Sequence, residues 1–257
     1  MAVTMAETFQ LFTSLRYDPA LLKLHESELK HAGWNRENAS ALYMLDYHRD
    51  RMLRAATHWG WDAAVRVLSG EAGLTTLSEL VLGSLGGREG LSSRVRVTIT
   101  KDGELAAHVS EAPRTGIANL FPDRLPVSGR TETSDVLPLK EPAYEVVLDE
   151  QKTRRSEYTH FKTTRRVMYD QARQRAKISL PDPKEVLIVN AEDDTVMEGS
   201  ITTPYFWRDN RWVTPPVSSQ FSREDGSGGN DGTTRRWALQ RYVGDSTPRQ
   251  TGAFVHM

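Results

Sequence analysis

Apolar positions change their spacing several times along the chain, and each change predicts an element. FQLFTSLRYD (9–18) mixes apolar and polar positions in near alternation and predicts an opening strand, which Pro19 interrupts. From 39 to 60, ASALYMLDYHRDRMLRAATHWG places Leu42, Leu45, Met52, Leu53 and Ala56 at largely helical spacing, with Gly60 as its stop. WDAAVRVLSG starts a second helix, and LTTLSELVLGSLGG extends to another stop at Gly86 and Gly87. RVRVTIT (94–100) alternates cleanly and, with KDG and ELAAHVS behind it, predicts a hairpin on a DG turn. Pro, Ser, Thr and Gly then dominate from about 110 to 142, which predicts a crossing between two domains, 1–112 and 113–257.

The second half is more regular. YEVVLD (144–149) and PKEVLIVN (183–190) read as strands, with RRVMYDQARQRAKI as a helix between them. VMEG follows the EDDT turn as a further extended segment, and TPYFWRDNRWVTPP predicts a hairpin around RDN. REDGSGGNDG (223–232) reads as a flexible glycine-rich loop, and TTRRWALQRYVG starts a helix directly after it. Three candidate positions therefore fall at strand ends or helix starts: Lys162, Glu198 and the 232–235 turn. Small-ligand sites collect at such places.

Composition narrows the classes. The 257 residues suffice for one large or two smaller cores, and 33 Lys plus Arg against 34 Asp plus Glu give a net charge of −1. That balance argues against a nucleic-acid-binding protein, because no basic excess is present. Zero cysteines exclude disulfides, thiolate catalysis and cysteine metal sites, and fit a reducing compartment; cytoplasmic is the expected location. No run approaches the roughly 18 apolar residues of a membrane span. His48, His58 and His160 match no metal-ligand spacing, so no metal is expected, and GSGG (226–229) lacks the strand and helix of a dinucleotide fingerprint.

The candidate chemistry centres on YTHFKTTRRVMY (158–169). A lysine amine becomes a covalent catalyst when it meets an aldehyde and when burial or neighbouring cations lower its pKa. Pyridoxal phosphate supplies such an aldehyde, and it also needs an anion cup and a carboxylate for its pyridine nitrogen. Lys162 is the candidate amine and Glu198 in VMEGS the candidate carboxylate. Arg51 and the turn holding Thr233 and Thr234 are the candidate anion donors. Each has a plainer reading: Arg51 lies among Arg49 and Arg54 on a polar helix face, and the two threonines are good helix caps.

The order of these segments resembles the class IV aminotransferase-like pyridoxal-phosphate enzymes, which include branched-chain and D-amino-acid aminotransferases and 4-amino-4-deoxychorismate lyases. FQLFTSLRYD is similar to that family's opening strand, DYHRDRMLRAA to its arginine-bearing helix, and RVRVTITKDGEL to its first-domain hairpin. YTHFKTTRRVMYDQARQRA is similar to the catalytic-lysine region, LIVNAEDDTVMEGSITT to the strand pair bearing the glutamate, and RWVTPPVSS with the later TTRR to the next hairpin and phosphate turn.

The resemblance implies a two-domain α+β fold with the cofactor between the domains, and a homodimer. It implies Lys162 as the catalytic residue, and Lys162, Glu198, Arg51, Thr233, Thr234, Thr202 and Thr203 as cofactor-binding residues. Arg16 and Arg96 are the expected contacts for a small substrate bearing an amine and carboxylate. The compact start resembles the lyase-type members, which implies conversion of 4-amino-4-deoxychorismate to 4-aminobenzoate and pyruvate. Amino-group transfer from the same cofactor and a binding protein without turnover stay open beside it. Departures from the family pattern are Phe161, Arg165, Thr203, Pro204, a long 19–41 segment, and SQFSREDGSGGNDG (219–232) in place of a short link. That insertion is expected either to close over the site or to hang in solvent.

Overall fold

The computed structural model describes residues 9–123, 143–241 and 249–250. The first eight residues, most of the predicted 110–142 crossing and the end of the last predicted helix lie outside the described residues. The chain builds a mixed α+β structure of two lobes around three small sheets.

In the first lobe β1 (Leu11–Tyr17), β2 (Ser93–Ile99) and β3 (Leu105–Glu111) form an antiparallel sheet in that order. Period-2 alternation decides its faces. Leu11, Leu15, Val95, Val97 and Ile99 are buried on one side with Met52, Ala56, Leu68, Leu77 and Val81 from the helices. Each such side chain contributes roughly 1.5–3 kcal/mol on burial. The alternate positions, Phe12, Ser14 and Arg16 on β1 and Arg94, Arg96 and Thr98 on β2, share the opposite face. A short α1 (Trp34–Glu37) precedes α2 (Leu45–His58), α3 (Asp62–Leu68) and α4 (Gly70–Gly83).

Two predictions shift here. The expected 39–60 helix begins only at Leu45, because residues 41–43 pair with the end of β1: Asp18 N–H donates to Ala41 O and Tyr43 N–H to Arg16 O. The expected second helix is two, since Gly70 takes φ +61° and reverses the chain at that point. Gly73 then lies so close to the Leu68 carbonyl that a side chain there would collide with it.

After α5 (Ile117–Leu120), β4 (Glu145–Leu148) pairs parallel with β5 (Lys184–Val189), and β5 pairs antiparallel with β6 (Val196–Gly199). Between them run α6 (Glu157–His160) and α7 (Val167–Arg175). Tyr169 and Ala172 of α7 pack on Val186, Ile188 and Met197. The predicted hairpin forms as β7 (Phe206–Arg208) and β8 (Arg211–Thr214), with β9 (Arg249–Gln250) alongside β8. Asp209 and Asn210 both take positive φ, the tight-turn geometry matched to strand twist.

The last helix, α8 (Thr233–Arg241), crosses back to the first lobe. Its Trp237 and Ala238 are buried with Leu21, Leu24, Met44, Tyr47 and Phe121. Among the described residues, no helix is long and apolar enough to cross a membrane.

Candidate active site

Backbone pairing fixes the position of Lys162. Phe12 N–H donates to the Lys162 carbonyl at 3.0 Å, Thr164 N–H to Gln10 O at 2.9 Å, and Gln10 N–H to the Thr164 hydroxyl at 2.9 Å. Residues 162–164 thus lie along the start of β1, so the lysine of the second half is held by the sheet of the first. Just upstream, a reciprocal Ser156–Thr159 cap closes the start of α6.

A cavity of about 320 Å3 opens beside this strap. That volume lies near the lower end for small-molecule sites. Lys162, Glu198, Arg51, Thr202, Thr203, Thr233 and Thr234 all line it, so seven of the nine expected site residues come together. Ser14, Arg166, Asn230 and Gly232 also contribute to the wall.

One end of the cavity is built for an anion. Arg51 is buried, and among the described residues its only hydrogen bond runs from a terminal N–H to the Thr13 hydroxyl. The Thr13 hydroxyl is in turn hydrogen-bonded to His48 Nδ1 at 2.6 Å. Burial first, then the Arg51 and Lys162 charges, push His48 well below its ordinary pKa, which favours the neutral ring. The Arg51 Nε and the Ser14 hydroxyl are buried polar atoms without a hydrogen-bond partner among the described residues. Opposite them, Gly232 caps α8 by accepting from Arg236 N–H, which leaves the N–H groups of Thr233, Thr234 and Arg235 at the open first turn. Unspent donors and an α-helix start make a phosphate-sized cup.

Lys162 shares the cavity with that cup and with Glu198. Burial, then Arg51 and Arg166, hold its amine well below the usual lysine range, with Glu198 opposing. Its Nζ lies 5.1 Å from the centre of the Phe12 ring. Such an amine loses its proton more easily than an ordinary lysine, and its neutral form is the nucleophile. Glu198 is raised by burial and lowered by the Tyr169 hydroxyl, Arg166, Lys162 and the Asn230 N–H. These are the groups that a phosphate-bearing aldehyde with a ring nitrogen requires: a low-pKa amine, an anion cup and a facing carboxylate.

Two expected residues stand elsewhere. Arg16 gives its Nε to Asp18 at 2.8 Å and is not in the cavity wall, because Asp18 lies two positions on at the strand end. Arg96 lies over the Phe12 ring at 4.2 Å, beyond the wall but on the same sheet face as Arg94. Thr202 does line the cavity, yet its hydroxyl proton goes to Glu185 at 2.7 Å. The buried Glu185 carboxylate also accepts from the N–H groups of Ser200, Ile201 and Thr202 and from the Ser200 hydroxyl. It ties down the whole turn after Glu198.

Sequence reasoning passed over Tyr169, Thr13, His48 and Asn230 as site groups. Tyr169 had a readable signal, since a hydroxyl seven positions past Lys162 lies on the buried side of α7. The 219–232 insertion divides between the two outcomes expected of it: Asn230 and Gly232 line the cavity, while Ser219, Gln220, Arg223, Glu224 and Asp225 are exposed. Ser227, Gly228 and Gly229 are buried against β6, Asn230 donates to the His160 carbonyl, and Phe221 packs near the His58 and His160 rings.

The family model described as amino-transferase class IV matches residues 34–242. Among solved structures, a proposed amino-acid aminotransferase from Mesorhizobium loti is similar at TM-score 0.60 and 17% identity, covering 95% of this chain and 86% of that one. A proposed 4-amino-4-deoxychorismate lyase from Legionella pneumophila is similar at TM-score 0.55 and 12% identity, covering 88% of this chain and 66% of that one. A hypothetical aminotransferase from Mycobacterium tuberculosis, bound to α-ketoglutarate and PMP, is similar at 0.58 and 12%, covering 98% and 74%. Among curated proteins, none matches the sequence.

Proposed function

The chain belongs to the class IV aminotransferase family, whose fold typically binds pyridoxal phosphate, and from that premise we propose that it is a lyase releasing pyruvate from 4-amino-4-deoxychorismate. The observation that carries the reading is that Lys162, the half-buried Glu198 carboxylate, Arg51 and the start of α8 line one cavity, where burial and two arginines lower the lysine pKa. When bound, pyridoxal phosphate supplies an aldehyde for that amine and a ring that accepts electrons.

Each residue then has a defined task. Arg51, Thr233, Thr234 and the first turn of α8 would hold the phosphate, and Thr203 lines the same cavity. Glu198 would be the partner of the ring nitrogen and would favour its protonated form. Lys162 Nζ takes the proton from the substrate carbon that bears nitrogen. The carbon–oxygen bond to the neighbouring enolpyruvyl group breaks, the ring becomes aromatic, and Nζ returns a proton to the departing methylene to give pyruvate. Aromatisation drives the step, so the protein mainly positions groups and carries the proton. Arg94 and Arg96, on the sheet face beyond Phe12, and Arg166, in the wall, fit the two substrate carboxylates. Arg16 is withdrawn from that role because Asp18 engages it.

The dimer implied by the resemblance is part of the proposal. Val167 and Ile201 are 58% and 53% exposed, and Ile201 is in the cavity wall, so a second copy has apolar surface to cover there.

The test is chemical. Protein loaded with pyridoxal phosphate should release pyruvate and 4-aminobenzoate from 4-amino-4-deoxychorismate without any keto acid. Conversion of the cofactor to its amine form by an amino donor alone, with no pyruvate formed, overturns the lyase in favour of amino-group transfer. Failure to retain the cofactor at all favours a binding protein without turnover.

A further inference from the structure

We propose that Tyr169 is a positioning residue that sets the protonation of Glu198 through a hydroxyl able to turn between that carboxylate and the Thr159 carbonyl. The proposal rests on the reading of Glu198 as the partner of a ring nitrogen. Tyr169 is 1% exposed and sits in α7 against β5 and β6, with Glu198 on β6. Its hydroxyl is hydrogen-bonded to Glu198 Oε1 and lies 3.3 Å from the Thr159 carbonyl oxygen. The Arg166 guanidinium covers its ring at 3.9 Å and donates to Ser200 O at 2.9 Å, so the phenol is clamped in place.

A phenol has one proton to give and lone pairs to accept with. Given to Glu198, that proton stabilises the carboxylate. Turned to Thr159, it leaves the phenol oxygen free to accept from a protonated Glu198. One hydroxyl therefore satisfies both forms of the half-buried carboxyl beside it. Glu198 can then share a proton with a ring nitrogen without rearranging its surroundings.

The other groups acting on the pair are cationic or neutral. Lys162, Arg166 and Arg51 favour the carboxylate, as does the Asn230 N–H. Burial favours the acid. Asp231 acts on Arg51 from the turn before α8, and Arg94 acts on Lys162 from β2. With the cations fixed, the tyrosine hydroxyl is the adjustable member.

The experiment is an infrared pH titration of the full cofactor-free chain carrying isotope-labelled glutamate, with Glu198→Gln used to assign the Glu198 band. In Tyr169→Phe the protonated-acid band should appear at a pH higher by roughly one to two units, the range of one hydrogen bond to a charged group. An unchanged midpoint overturns the proposal. A fluorotyrosine at 169 keeps the packing and strengthens the donor, so it must move the midpoint down; no movement again overturns it, even if Tyr169→Phe fails to fold. A matching displacement in the pH dependence of the absorbance of bound pyridoxal phosphate tests the Glu198 reading separately. If the cofactor-free titration moves and that absorbance does not, the ring-nitrogen reading fails while the role of Tyr169 on Glu198 stands.

Discussion

At the scale of single residues, position in the chain and chemical environment carry different information. Lys162, Glu198 and Arg51 were legible because each chemistry demands a residue type and a place, at a strand end or on an amphipathic helix. Thr13, His48 and Tyr169 were not, because their partners lie far along the chain: Thr13 meets His48 and Arg51 35 and 38 positions away, and Tyr169 meets Glu198 29 positions away. Arg16 misled for the converse reason: a strand arginine has the right charge, but a nearby aspartate had already engaged it.

His160 shows what such burial does to stability. Burial leads in lowering its pKa to about 4 from 6.5. The unfolded chain therefore binds more protons than the folded one between those values, and stability falls as pH drops from 6.5 towards 4. The loss from this group is at most about 3 kcal/mol across the window. Thermal unfolding between pH 7 and pH 4 should show that decline, and His160→Asn should flatten it. An equal slope in both proteins counts against the assignment.

At the scale of elements, hydrophobic period located most strands and helices, whereas turns were decided by contacts that no local pattern encodes. The 39–60 helix lost its first turn to backbone pairing with β1. The 223–232 loop looked flexible because it is rich in glycine. Its glycines instead permit close packing: Gly228 takes φ +81° against Arg155, and a side chain on Gly229 would strike the Met197 carbonyl. The turn after Glu198 is held by Glu185, a strand residue whose alternation gave no hint of five incoming hydrogen bonds from residues 200–202. Glu185→Ala removes all of those acceptors at once, and a buried donor left unpaired costs about 1–3 kcal/mol. Urea unfolding should therefore show a loss of at least about 2 kcal/mol, with weaker cofactor retention because the cavity wall at 199–203 loosens. Unchanged stability contradicts the role given to this turn.

At the scale of the whole molecule, the two-lobed α+β fold followed from the order of segments, and the way the halves join did not. Residues 10–12 pair with 162–164, and α8 returns to pack on the first lobe. Both joins converge on the cavity, since one fixes Lys162 and the other aims the first turn of α8 at Arg51. Net charge near zero concealed this local excess of cations, because an average over the chain carries no positional information. The most direct test of the account is to incubate the protein with pyridoxal phosphate, reduce it with borohydride and map the modified peptide by mass spectrometry. The account predicts a single cofactor mass on Lys162, absent in Lys162→Ala. A cofactor mass spread over surface lysines, with Lys162 unmodified, contradicts it.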